Sequence, residues 1–298
     1  MTVLHSRLAI LLFALTLPAA AQAADGAVSL YLQPFPREAR GLTLEIEAVS
    51  VLTASGAERP LDLRLRAAGG GQSPRQRLLA WGRVPSGAYS GVRLRLKRAT
   101  LQGPGGEVAL ALPETPIRTD VPFVVADRQY PVVWLSLTVT EPITAAAPFG
   151  PAFTAVVPAR PIADHAGFVS NSAASTITVF DKQVMQAVAV IGTCAGPAGL
   201  ALDQRRRRLF VACPNDDEVQ AVDVVTGDLI QQASASPGDR PTELALTPDG
   251  NMLVAVNPGS NSVTFFETGT LARQDRVGVG SGPVSVAIDP AGRRAFVF

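Results

Sequence analysis

Histidine and lysine are both scarce in this chain. Of 26 basic residues only Lys97 and Lys182 are lysines, and the 298 residues hold two histidines. His5 lies in the N-terminal segment, which leaves His165 for the rest of the protein. One imidazole cannot build a multi-histidine metal site, and it weakens any Ser-His-Asp reading. There is no Gly-x-Ser-x-Gly elbow and no Walker loop. Gly278-Val279-Gly280-Ser281-Gly282 resembles a phosphate loop only superficially, because no strand–helix unit surrounds it. Charged residues make up 17% of the chain and the net charge is +1, so no global field recruits nucleic acid or an acidic membrane.

No apolar run reaches the roughly 20 residues that a bilayer-spanning helix requires. The longest, Leu8 to Leu17, follows Arg7 and precedes Ala21-Gln22-Ala23, a small-x-small cleavage signature. Residues 1–23 therefore read as a secretory signal, with cleavage between Ala23 and Ala24. The residue after the cleavage point is Ala24, not cysteine, which argues against a lipoprotein. The expected location is the periplasm or the medium, without a membrane span. Such a compartment permits a disulfide between Cys194 and Cys213. Their spacing also allows two small buried hydrophobes.

The composition is 47% hydrophobic, as expected of a globular chain. Over residues 24–160 the pattern is of period two, the mark of half-buried strands. Leu42, Leu44 and Ile46 alternate with polar residues, as do Leu61, Leu63 and Leu65, then Val92, Leu94 and Leu96, then Val133, Leu135 and Leu137. The phase slips after Ile46 and after Leu96, where β-bulges are expected. Glycine and proline clusters separate the runs, which predicts a β-sandwich of antiparallel strands. Val28 to Leu32, Leu42 to Val51 and Val84-Pro85-Ser86-Gly87-Ala88-Tyr89 resemble a family of uncharacterised exported domains. That resemblance implies an exported sandwich and supplies no catalytic residues. Arg64, Arg66, Arg93, Arg95 and Lys97 fall on outward positions. A solvated face is the plain reading of them, and a basic stripe for an anionic glycan the sharper one.

Residues 161–298 repeat. Pro197, Pro241 and Pro283 stand 44 and 42 residues apart, each opening an apolar strand that ends in a tight turn and a second strand. A period near forty is that of a β-propeller blade of four strands, here labelled a to d from axis to rim. Asn171, Asn215 and Asn257 are read as the ends of the b strands, again 44 and 42 apart. Leu209-Phe210-Val211-Ala212-x-x-Asn215 resembles the repeat of YVTN-type β-propellers, which implies a ring of several blades. The fold class is thus all-β: a sandwich followed by an incomplete propeller of about three four-stranded antiparallel blades. The last repeat stops at Phe298 within a b strand. A fragment of a longer chain is expected, in which a downstream a strand completes the first blade; several copies forming one ring is the alternative.

These features point to an exported, non-catalytic binding or scaffolding protein of the cell envelope, with a protein or glycan partner. Propellers bind through their d–a and b–c loops, which makes Asn215, Arg240, Asn257, Ser260, Asn261 and Ser281 the contact candidates. The alternative is a propeller enzyme, lactonase-like or quinoprotein-associated. No cofactor is expected. Asp216, Asp217 and Glu218 could offer oxygens to calcium, but turn chemistry explains them as well. Arg205 to Arg208 could meet an anion or nucleic acid. No aromatics interleave them, which favours a solvated hairpin tip.

Overall fold

The computed structural model of the chain describes residues 25–71, 75–103, 105–139, 142–144, 149–159 and 165–298. The expected signal and its cleavage point, Ala23 and Ala24, lie outside them. Among the described residues there is no α-helix, and the chain is all-β.

The first half builds two facing sheets. Its strands are β1 (Asp25–Leu32), β2 (Leu42–Thr53), β3 (Glu58–Pro60), β4 (Asp62–Leu63), β5 (Ala67–Gly69), β6 (Arg77–Pro85), β7 (Gly87–Gly103), β8 (Gly106–Leu110), β9 (Ile117–Val125), β10 (Gln129–Tyr130), β11 (Val132–Thr138) and β12 (Ala152–Val156). One sheet runs β12-β11-β1-β6-β4 and the other β3-β2-β7-β8, with β5 on β2 and β9 on β7. Val28, Leu30 and Leu135 of the first sheet meet Val49, Val51 and Val92 of the second in one core. Period-two alternation puts those side chains inward and leaves Ser29, Tyr31 and Trp81 on the outer face of the first sheet. The expected bulges are present: the β2–β7 register passes from Glu45↔Arg98 to Ile46↔Leu96, skipping Lys97.

Two expectations for this half need correction. The pairing is not wholly antiparallel, since β1 runs parallel to β11. Leu61, Leu63 and Leu65 do not share one strand either. The chain pairs with β2 at β3, crosses to β6 at β4, and returns to β2 at β5. That crossing takes Arg64 to β6, where its N–H donates to the Leu79 carbonyl, while Arg93 stays on the other sheet. Arg93 pairs with Glu58 at 2.7 Å.

The second half is a series of blades. The first is β13 (Ala166–Asn171), β14 (Thr176–Asp181) and β15 (Gln186–Gly192). The second is β16 (Leu200–Asp203), β17 (Arg208–Cys213), β18 (Glu218–Asp223) and β19 (Leu229–Ser234). The third is β20 (Glu243–Leu246), β21 (Met252–Asn257), β22 (Ser262–Glu267) and β23 (Arg273–Gly278). β24 (Val286–Ile288) and β25 (Ala295–Val297) form a further hairpin. Each blade buries both faces only by stacking on a neighbour. Ile177 and Val179 of the first pack on Leu209 and Val211 of the second. Phe210 of the second packs with Leu253 and Phe266 of the third. Fully buried Phe210 and Phe266 each contribute roughly 2 kcal/mol of apolar burial. The inner strands adjoin across blades, for Gly199 N–H donates to the Thr242 carbonyl at 2.8 Å.

The first blade also receives a strand from the sandwich. β10 pairs antiparallel with β15, on its rim side, giving the order β10-β15-β14-β13. The indole Nε1 of Trp134 donates to the Ala187 carbonyl at 2.8 Å, and Ala187 N–H donates to Gln76 Oε1 at 2.9 Å. In the second and third blades, the face equivalent to Thr176 and Thr178 lies against the preceding blade. In the first, that face meets Tyr31 and the outer surface of the sandwich, and Tyr31 hydrogen-bonds Thr178.

Candidate functional site

The loop face of the blades is organised by a device that recurs once per repeat. Ser175, Asp217 and Asn261 take left-handed backbone conformations, at φ 55°, 52° and 52°. Their carbonyls accept from the N–H groups of Thr193, Ala235 and Val279, at 3.0, 2.7 and 2.8 Å. In two of them the side chain then caps the following d–a loop. Asp217 Oδ2 accepts from Gly238 N–H at 2.8 Å and Oδ1 from Arg240 N–H at 2.7 Å. Asn261 Oδ1 accepts from Gly282 N–H at 2.8 Å. The capped residues Arg240 and Gly282 are themselves left-handed, with Gly196 at the equivalent place (φ 52°, 67° and 68°). A chain reversal ahead of each proline needs that conformation.

The registers relocate the asparagine repeat. Asn171 pairs with Thr176, Cys213 with Glu218, and Asn257 with Ser262. The second blade therefore carries Cys213, not Asn215, at the end of its b strand, and Asn215 lies in the turn beyond. Asn171 Nδ2 donates to the hydroxyls of Thr176 and Thr178 at 3.2 and 2.9 Å. Asn257 Nδ2 does the same to Ser262 and Thr264 at 3.1 and 2.8 Å. In the second blade this triad is replaced. Cys213 is joined to Cys194, with Cα atoms 5.9 Å apart, and Gln220 donates to Glu218 at 2.7 Å. Asn257 is fully buried, so it holds a strand end and presents nothing to a partner. Asn215, Arg240, Asn261 and Ser281 are exposed on one face, and Ser260 is half-buried beside them.

The acidic cluster is divided among separate partners. Both oxygens of Asp217 accept backbone N–H groups, and the donors at Gly238 and Arg240 hold its carboxyl below the usual carboxylate range. Asp216 Oδ2 accepts from Ala195 N–H at 2.7 Å. Glu218 faces Gln220 and lies beside the two cysteine sulfurs, which are bonded to each other. Among the described residues the three carboxylates do not converge. Loop rigidity is completed by Asp239, which is fully buried and paired with Arg276.

On the opposite face the arginine run is structural in two of its members. Arg206 donates to Asp203, to the Gly250 carbonyl and to Asn251 Oδ1, at 3.0, 2.9 and 2.8 Å. Arg208 donates to the Thr268 carbonyl at 3.0 Å. Both tie the second blade to the third. His165 neighbours Gln183, 3.5 Å away, at the start of the first blade.

Sequence motifs missed a cleft between the sandwich and the first blade. It measures about 390 Å³ and is lined by Ser29, Tyr31, Arg64, Trp81, Asn171 and Thr178, among others. Burial pushes the Tyr31 phenol above its ordinary value, against the opposing hydrogen bond to Thr178.

No protein-family model matches the chain, and no curated protein matches it. Solved structures do. Hydrazine synthase of Kuenenia stuttgartiensis is 22% identical over 45% of this chain and 38% of its own, with a TM-score of 0.43. Dihydro-heme d1 dehydrogenase NirN, solved in complex with DHE, is 18% identical over 47% of this chain and 32% of its own, with a TM-score of 0.40. A functionally unknown protein from Desulfotomaculum acetoxidans is 16% identical over 70% of this chain and 59% of its own, with a TM-score of 0.37. The chain thus spans less than two thirds of each of these proteins. What they bind or catalyse does not transfer at such similarity.

Proposed function

We propose that this is an exported binding or scaffolding protein of the cell envelope, built on YVTN-type repeats, whose contact surface is the d–a and b–c loop face. The observation that carries this reading is the preorganisation of that face. Asp217, Asn261 and the buried Asp239 hold the loop backbones in place, which lowers the ordering cost of meeting a partner. The signal-like segment at residues 1–23 supports export.

The test is retention of envelope components on the immobilised protein. The wild type should hold a discrete species that the double variant Arg240→Glu, Ser281→Arg loses. Arg205→Glu, on the opposite face, should keep it. Equal retention by all three, or none by any, overturns the reading.

A further inference from the structure

We infer that the cleft between the sandwich and the first blade binds a compact acidic sugar, a uronate or a like polyhydroxy-carboxylate; this rests on the binding-protein reading above. Polar and aromatic groups share both walls with apolar ones, Leu78 and Val190 among them. The sandwich contributes Ser29, Tyr31, Arg64 and Trp81, and the blade contributes Asn171 and Thr178. Pairing within the sheet sets Ser29 directly beside Trp81, on the face turned away from the sandwich core. Its volume, about 390 Å³, lies in the range of small-ligand sites, and such sites favour seams between domains.

The lining selects among ligand classes. Tyr31 and Trp81 offer flat apolar bodies with polar tips, which suit a ligand having one apolar face. The Thr178 hydroxyl accepts from Asn171 Nδ2, and a hydroxyl holding one such bond keeps capacity for another, which suits a ligand edged with hydroxyls. Arg64 is the one cationic side chain in the lining, and a guanidinium grips a carboxylate through two parallel hydrogen bonds. A polyphosphate would want several cations, and a wholly apolar ligand would leave Arg64 unused. A sugar acid satisfies all three sets of groups at once.

Tryptophan emission reads the site directly, because the chain has two tryptophans and only Trp81 lines the cleft. In Trp134→Phe, titration with glucuronate or digalacturonate should change the emission saturably. Binding should weaken at least tenfold for glucose and in an Arg64→Gln background. If Trp134→Phe does not fold, Trp81→Phe in the otherwise intact protein should abolish the uronate-dependent change. The proposal is overturned if no uronate alters the emission, if Arg64→Gln binds equally, or if citrate binds as well as the uronates. Arg64→Gln should still retain the loop-face species, so a failure here is distinguishable from a failure of the loop-face reading.

Discussion

Arg276 Nη2 donates to Asp239 Oδ1 at 2.6 Å, joining the outer strand of the third blade to the loop that enters it. Asp239 has no exposed surface, and it also accepts from Ser236 N–H at 2.9 Å. Arg276→Ala leaves a buried carboxylate short of its cation. The Arg276 side chain is 40% exposed, so the loss falls below that of a wholly buried pair, at about 2 kcal/mol. Urea unfolding checks this, and an unchanged midpoint would contradict it.

The disulfide closes a loop whose ends are 19 residues apart in sequence. Cys194→Ala with Cys213→Ala should cost about 3 kcal/mol. If Cys213 occupies the position of Asn171 and Asn257, the triad of the other blades can be transplanted. Cys194→Ala, Cys213→Asn, Glu218→Ser and Gln220→Thr together should melt higher than the double alanine variant. Equal melting temperatures would deny the equivalence.

Gly199 sits where the inner strands of two blades approach. A Cβ there would lie 2.7 Å from both the Glu243 Cα and the Thr242 carbonyl oxygen. Both are backbone atoms and cannot swing aside. Gly199→Ala should destabilise by roughly 1–3 kcal/mol, measured by thermal unfolding. Gly56→Ala is no clean control, because Gly56 has φ 85°. Gly105→Ala is one, since no atom lies near its would-be Cβ.

In the blades, three surface carboxylates are held below their ordinary range by local donors: Asp217 by Gly238 N–H and Arg240 N–H, Asp249 by the Thr247 hydroxyl and Asn251 N–H, and Glu267 by Thr270 and Gly269 N–H. A depressed folded-state pKa gives stability that is present above the unfolded value, about 4, and is lost as pH falls through the lower folded value. The melting temperature should therefore drop on acidification below about pH 4. Asp217→Asn should shallow that drop, and an identical acid limb in the variant would refute the assignment.

How much was legible in the sequence depended on whether a residue's partner was near it in the chain. Pro197, Pro241 and Pro283 mark the blades because each follows a left-handed residue that only a few side chains tolerate. The true asparagine register is hidden by Cys213, since the second blade's asparagine, Asn215, stands two residues further on. Gln220 held the clue, standing where Thr178 and Thr264 stand. The break at Leu61–Leu65 was invisible because its cause is a change of partner sheet. The pairing of β10 with β15, and the meeting of Tyr31 with Thr178, join distant segments whose residues carry no periodic signature.

The seat that the sandwich takes on the first blade has a consequence for assembly. That face of β13, β14 and β15 matches the one through which later blades accept their predecessor. Two bodies cannot share it. Any further blade arriving there, from this chain or another, must displace the sandwich, breaking the Trp134 bond to Ala187 and opening the Tyr31 contact. Completing a ring on that side is thus a competition, and the emission of Trp134 would report which contender holds the seat.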